Sequence, residues 1–152
     1  MPVLHLGVVD LPYVQAAPSS NRRRSTSAPG HQTTGDVAGW LENRYHVMAH
    51  FAELRGPDIA AALEASVAGA LETVLMGGSP ATNLFSSAEG KIEETFRRFV
   101  ESKEMGALGY PGIPTQASLE GKSQRFKSRR GPVRPSFLDT GLFLQSFRAW
   151  VE

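Results

Sequence analysis

Cysteine is absent from this chain of 152 residues. Disulfides and thiolate metal sites are therefore excluded, and the absence fits a reducing compartment. No apolar run approaches the ~20 residues that a membrane-spanning helix needs. The N-terminus has no basic region followed by an apolar stretch and a small-residue cleavage site, so no signal peptide is read there. The expectation is a soluble intracellular protein without a membrane partner.

Catalytic signatures are missing as well. No G-x-S-x-G elbow and no dinucleotide fingerprint occurs. Gly77-Gly78-Ser79-Pro80 lacks the lysine and helix start of a phosphate-binding loop, and reads as a helix stop. His46 and His50 stand four apart, a spacing that can hold a metal on one helix face, with Glu42 and Glu53 as candidate oxygen donors. The zinc-protease pattern requires Glu directly after the first His, and that position is Val47. The two histidines read better as surface or interface residues. The chain is expected not to be an enzyme: no catalytic residue, cofactor or metal site is assigned.

What is present is uneven charge. Sixteen basic and fifteen acidic side chains leave a net charge of +1. The basic ones cluster at Arg22, Arg23 and Arg24, and again at Lys122, Arg125, Lys127, Arg129, Arg130 and Arg134. Acidic residues gather between Glu42 and Glu104. The basic groups suit either acidic surfaces of neighbouring subunits or the phosphates of DNA, contacted through the backbone and without sequence reading.

The length suggests a single domain, 1–152. Val3 to Val9 is apolar and β-branched and predicts a strand, which needs a partner from this chain or from a neighbour. Residues 16–35, rich in Pro, Ser, Thr, Gly and Arg, predict a flexible arm. Asp36 predicts the cap of a helix over 37–54, with Val37, Leu41, Tyr45, Met48 and Ala52 on one face beside Trp40 and Phe51. Gly56-Pro57 opens a second helix reaching about Met76, with Ile59, Leu63, Val67, Ala70, Leu71, Val74 and Leu75 as its apolar stripe. Ser86 and Glu89 predict a capping box for a third helix to about Met105, with Ile92, Phe96, Phe99 and Val100 inward. Residues 106–134 predict an extended basic loop. For 142–151, helical spacing of Phe143, Phe147 and Trp150 competes with strand alternation of Phe147, Ala149 and Val151. Helix, strand, or one following the other all remain open. The fold class expected is α+β: three helices, a small antiparallel sheet and long flexible loops or arms. A strand at the C-terminus would be a ready site for pairing with another chain.

Asp139, Thr140 and Gly141 predict a turn in which the side chains bond their own backbone and glycine relieves strain. The run Asp139-Thr140-Gly141-Leu142-Phe143-Leu144-Gln145-Ser146-Phe147 resembles a motif of the neck and tail-completion proteins of tailed bacteriophages. There, Asp-Thr-Gly is followed by one variable residue, a large apolar residue, two variable residues, serine and another apolar residue. Phe143, Ser146 and Phe147 occupy those positions, and Arg134-Pro135-Ser136-Phe137-Leu138 resembles the family's approach to the motif. Mu-like virion morphogenesis proteins are similar in general appearance. In those families several strands follow the motif, so either the N-terminal strand or a neighbouring subunit is expected to supply part of the sheet here.

The resemblance implies a structural virion protein in the neck or tail. It would be a head–tail joining or tail-completion subunit forming a homo-oligomeric ring, made in the host cytoplasm. Its partners would be adjacent neck, portal or tail proteins, with non-specific contact to packaged DNA open to the basic residues. Phe143, Ser146, Phe147 and Trp150 would pack the C-terminal segment. The alternative is a small basic-armed nucleic-acid-binding protein.

Overall fold

The computed structural model describes residues 2–12, 33–79, 81–107, 109, 111–113, 119 and 141–152. The arm expected at 16–35 lies outside them except for Thr33, Thr34 and Gly35, and so do Asp139 and Thr140. Of the loop expected at 106–134, only residues 106, 107, 109, 111–113 and 119 are described.

The fold is α+β, mostly helical with one two-stranded antiparallel sheet. In chain order it comprises β1 (Leu4–Val8), α1 (Thr34–Tyr45), α2 (Val47–Leu54), α3 (Gly56–Leu75), α4 (Ser86–Glu101), α5 (Glu104–Ala107), α6 (Leu142–Ser146) and β2 (Phe147–Val151). The three expected helices are present. The first is divided into α1 and α2, and the short α5 and α6 join them among the described residues.

The division falls at His46, which adopts a left-handed conformation with φ of 49°. Glu42 explains why the break is tolerated. Its carboxylate accepts from the backbone N–H groups of Met48 at 2.8 Å and Ala49 at 3.1 Å, satisfying orphan donors at the start of α2. The cap of α1 also differs from expectation. Thr33, not Asp36, is the N-cap, and Asp36 is the far member of a reciprocal capping box. Asp10 joins this corner by accepting from Gly35 N–H. The Thr33 hydroxyl first, and Gly35 N–H second, hold its carboxyl below the ordinary aspartate range.

At α4 the N-cap residue is Phe85, which offers no side-chain bond, so the Ser86–Glu89 capping box does not form. Ser87 instead bonds Ser66 of α3, whose hydroxyl accepts from Ala88 N–H inside the helix contact. Glu89 turns to the sheet. The inward face of α4 is as the spacing predicts: Ile92, Phe96, Phe99 and Val100 are buried.

Two helix faces differ from their expected burial. α3 buries Ile59, Ala62 and Ser66 and half-buries Leu63, while Val67, Leu71, Val74 and Leu75 are exposed. Trp40 and Ala52, expected near the core, are exposed too.

The core is aromatic. Phe51, Phe96, Phe99 and Phe147 are fully buried. Phe96 of α4 stacks on Phe147 of β2 with centroids 3.8 Å apart, and Phe51 of α2 meets Phe96 edge-on at 5.1 Å. Three segments distant in sequence thus converge on this cluster. Truncating its centre removes both transfer energy and packing: Phe96→Ala is expected to lower the unfolding free energy by about 3–5 kcal/mol. Denaturant titration followed by circular dichroism checks this. A loss below about 1 kcal/mol, against that cavity cost, would place the core elsewhere.

Candidate functional site

The C-terminal segment is built from the glycine outward. Gly141 has φ of +75°, a left-handed value that costs a side-chain-bearing residue energy. Its carbonyl accepts from Gln145 N–H at 3.0 Å, which starts α6. Among the described residues, a Cβ placed on Gly141 would meet only Gln145 Nε2, at 4.0 Å. Conformation, not crowding, therefore calls for glycine here. α6 lasts five residues and buries Phe143 and Leu144. Ser146, also buried, donates its hydroxyl to the carbonyl of Phe143 at 2.8 Å. The chain then switches to extended geometry at Phe147, with φ −62° and ψ 135°. The alternatives left open for 142–151 thus resolve as a helix followed by a strand.

The strands at the two ends pair with one another, so each finds its partner within the chain. β1 and β2 run antiparallel, with Leu4 opposite Val151, Leu6 opposite Ala149 and Val8 opposite Phe147. Phe147 and Ala149 face the core, while Trp150 faces out and is 40% exposed. Its indole stacks on the His5 ring at 5.3 Å. A Cβ on Gly7 would come within 3.1 Å of that indole, so glycine makes room for it.

The two outer edges of this sheet differ. Val3 and Glu152 exchange both of their backbone hydrogen bonds. Alternation along an antiparallel ladder then turns Ala149 and Val151 N–H away from β1. Both find carboxylates on α4: Val151 N–H donates to Glu89 at 3.1 Å, and Ala149 N–H to Glu93 at 3.4 Å. Glu89 and Glu93 are four apart on a helix, and Ala149 and Val151 two apart on a strand, so the two spacings match at roughly 6–7 Å. Asn83 steadies Glu89 at 3.0 Å, and Arg97 and Arg148 flank Glu93 at 3.4 and 3.7 Å. No sequence signal announces this use. Glu93 reads from spacing alone as a solvated residue, and Glu89 as a cap.

A second surface lies on α3. Beyond Ser66, Val67, Leu71, Val74, Leu75 and Met76 are between 45% and 83% exposed. Leu63, Val67, Phe85, Pro2, Leu4 and Val151 line an apolar groove of 480 Å³ between this helix and the end of the sheet. Glu64 is the charged residue in its wall. Contiguous exposed apolar surface of this kind commonly marks an interaction site.

His46 and His50 lie with ring centroids 6.3 Å apart. Both oxygens of Glu42 are engaged by backbone N–H groups, and no group of three candidate metal ligands occurs among the described residues. No helix there is long and apolar enough to cross a membrane. Arg22, Arg23, Arg24, Lys122, Arg125, Lys127, Arg129, Arg130 and Arg134 all lie outside the described residues.

No protein-family model, curated protein or solved structure matches this chain.

Gly141→Val should destabilise the fold by about 1–2 kcal/mol because a β-branched residue must enter the left-handed region. Gly141→Asn should cost less, since asparagine tolerates that region better. Equal stability of Val and Gly variants in urea would remove the turn argument. Separately, Glu89→Ala or Glu93→Ala leaves a part-buried N–H unsatisfied and should cost about 1–3 kcal/mol. Glu93→Gln, which keeps an acceptor, should cost less. If both alanine variants melt like the wild type, the carboxylates do not hold the edge.

Proposed function

We propose that this protein is a structural virion subunit of a tailed bacteriophage, a head–tail joining or tail-completion protein that assembles into a ring. The observation that supports this reading most is how the residues of the phage-like motif are used. Gly141 supplies a left-handed turn, Phe143 and Phe147 enter the aromatic core, and Ser146 ties the end of α6. The described part of the motif, Gly141 to Phe147, acts as an architectural joint that anchors a strand, which is the work a scaffold subunit requires of it.

Two further features support an assembling protein. The exposed apolar turns of α3 offer a surface to a neighbouring copy, and rings are built from contacts of the heterologous kind. The basic clusters at 22–24 and 122–134 would meet acidic surfaces of neighbouring copies, portal or tail proteins, or the DNA passing through the ring. No catalytic role is proposed for any residue. Localisation in the neck or tail, after synthesis in the host cytoplasm, follows from this reading.

Negative-stain images of the purified protein, together with its mass by light scattering, test the proposal. Closed rings with a fixed number of subunits are expected. Affinity for duplex DNA should be weak in the isolated subunit. Absence of rings combined with tight binding, falling steeply as salt rises, would replace the proposal with a nucleic-acid-binding function.

A further inference from the structure

Among the described residues, the sheet has one closed edge and one open edge. On β2 the outward N–H groups of Ala149 and Val151 are taken by Glu93 and Glu89 of α4. On β1 the same alternation turns the N–H and C=O groups of Leu4, Leu6 and Val8 outward. Among the described residues, no backbone or side-chain group bonds them. The side chains of these three residues pack on the core, yet each remains only half-buried. An edge of this kind is a template for another strand.

We infer that β1 pairs antiparallel with β1 of a second copy, about a two-fold axis at Leu6. The occupant follows from the asymmetry of the sheet. Strand addition to β2 is blocked, so the edge that one copy offers is the edge that the other offers. Pairing then stops at two copies instead of propagating, and yields a four-stranded sheet ordered β2–β1–β1–β2. The register is also fixed. With Leu6 opposite Leu6, Leu4 of each copy lies opposite Val8 of the other, and the outward N–H and C=O groups of all three residues are satisfied. On the core side, Leu4 meets Val8 and Leu6 meets Leu6, covering the flank left half-exposed in one chain. The second copy's Val8 stands beside Leu4, at the wall of the groove against α3. On the other face, His5 lies opposite Gly7 of the second copy, so the Trp150 ring resting on both is continued across the axis. A dyad is a closed contact and a ring uses heterologous ones, so the pairing neither needs the virion reading nor competes for its surface.

Two measurements on the full chain test this. Because the sequence has no cysteine, His5→Cys introduces the sole thiol. Across the dyad the two introduced thiols are on diagonal neighbours, roughly 7–8 Å apart. A bis-maleimide of that span should convert most of the variant to a covalent dimer at micromolar concentration. The second variant is Leu6→Pro, which removes an outward N–H and leaves the bonds between β1 and β2 in place. In light scattering its mass should fall to half that of the unsubstituted protein, whether that is a pair of chains or a pair of rings, with an unchanged circular dichroism spectrum. A dimer that cross-links through His5→Cys and is lost in Leu6→Pro supports the inference. Should Leu6→Pro fail to fold, the cross-link alone decides. Absence of the cross-link overturns the pairing, whether the protein is a monomer, a dimer through another surface, or a ring. A ring without that cross-link would leave the virion proposal standing while removing this one.

Discussion

The structure depends on the seating of β2 along α4. Phe147 stacks on Phe96, and two residues further on the strand begins to donate its free N–H groups to Glu93 and Glu89. Apolar and polar parts of the contact are in register because strand and helix repeats coincide over this length. Remove the stack, and the carboxylates have nothing to hold. Remove the carboxylates, and the strand keeps its buried ring but presents a bare edge. β1 depends on β2 in turn, since a lone strand of five residues has no stability of its own. The N-terminal strand is therefore fixed by the C-terminal one.

From that seam the rest of the architecture follows. α4 contributes Ile92, Phe96 and Phe99 to the core and meets α3 through the Ser66–Ser87 hydroxyl pair and the Ala88 N–H. α2 reaches the same cluster through Phe51, which requires the chain to turn at His46. Arg55, bonded to Asp58 and Glu104, ties the α2–α3 junction to α5. α3 continues past its last buried residue, Ser66, so its C-terminal turns stand clear with apolar side chains outward. The core is closest where the aromatic rings meet, and surface is offered where α3 and β1 leave it.

Much of this was legible in the sequence. The strand at 3–9, the helix from Gly56 and the inward face of α4 follow from β-branching, a proline at the first turn, and helical spacing. The need for glycine at position 141 follows from the turn chemistry around it. What was not legible is tertiary. The spacing of Val67, Leu71 and Val74 predicts a buried stripe, but only a partner element can bury one, and the buried residues of α3 end at Ser66. Glu42 and Glu89 have the right chemistry for capping, and both do satisfy backbone donors. Glu42 acts across a break that no local pattern announces, and Glu89 acts on a strand 62 residues away. Pairing of the two end strands is likewise a long-range event that periodicity cannot encode.

The order of the sheet, and the confinement of further pairing to β1, both rest on α4 closing the outer edge of β2. Residue-resolved amide hydrogen exchange of the isolated protein tests that closure most directly. Ala149 and Val151 N–H groups point away from β1, so protection there reports on Glu93 and Glu89 alone. Both are expected to exchange as slowly as His5 and Gly7 inside the ladder. Exchange at the rate of free amides, with His5 and Gly7 still protected, would contradict the closure: the edge would be open, and nothing would confine strand addition to β1.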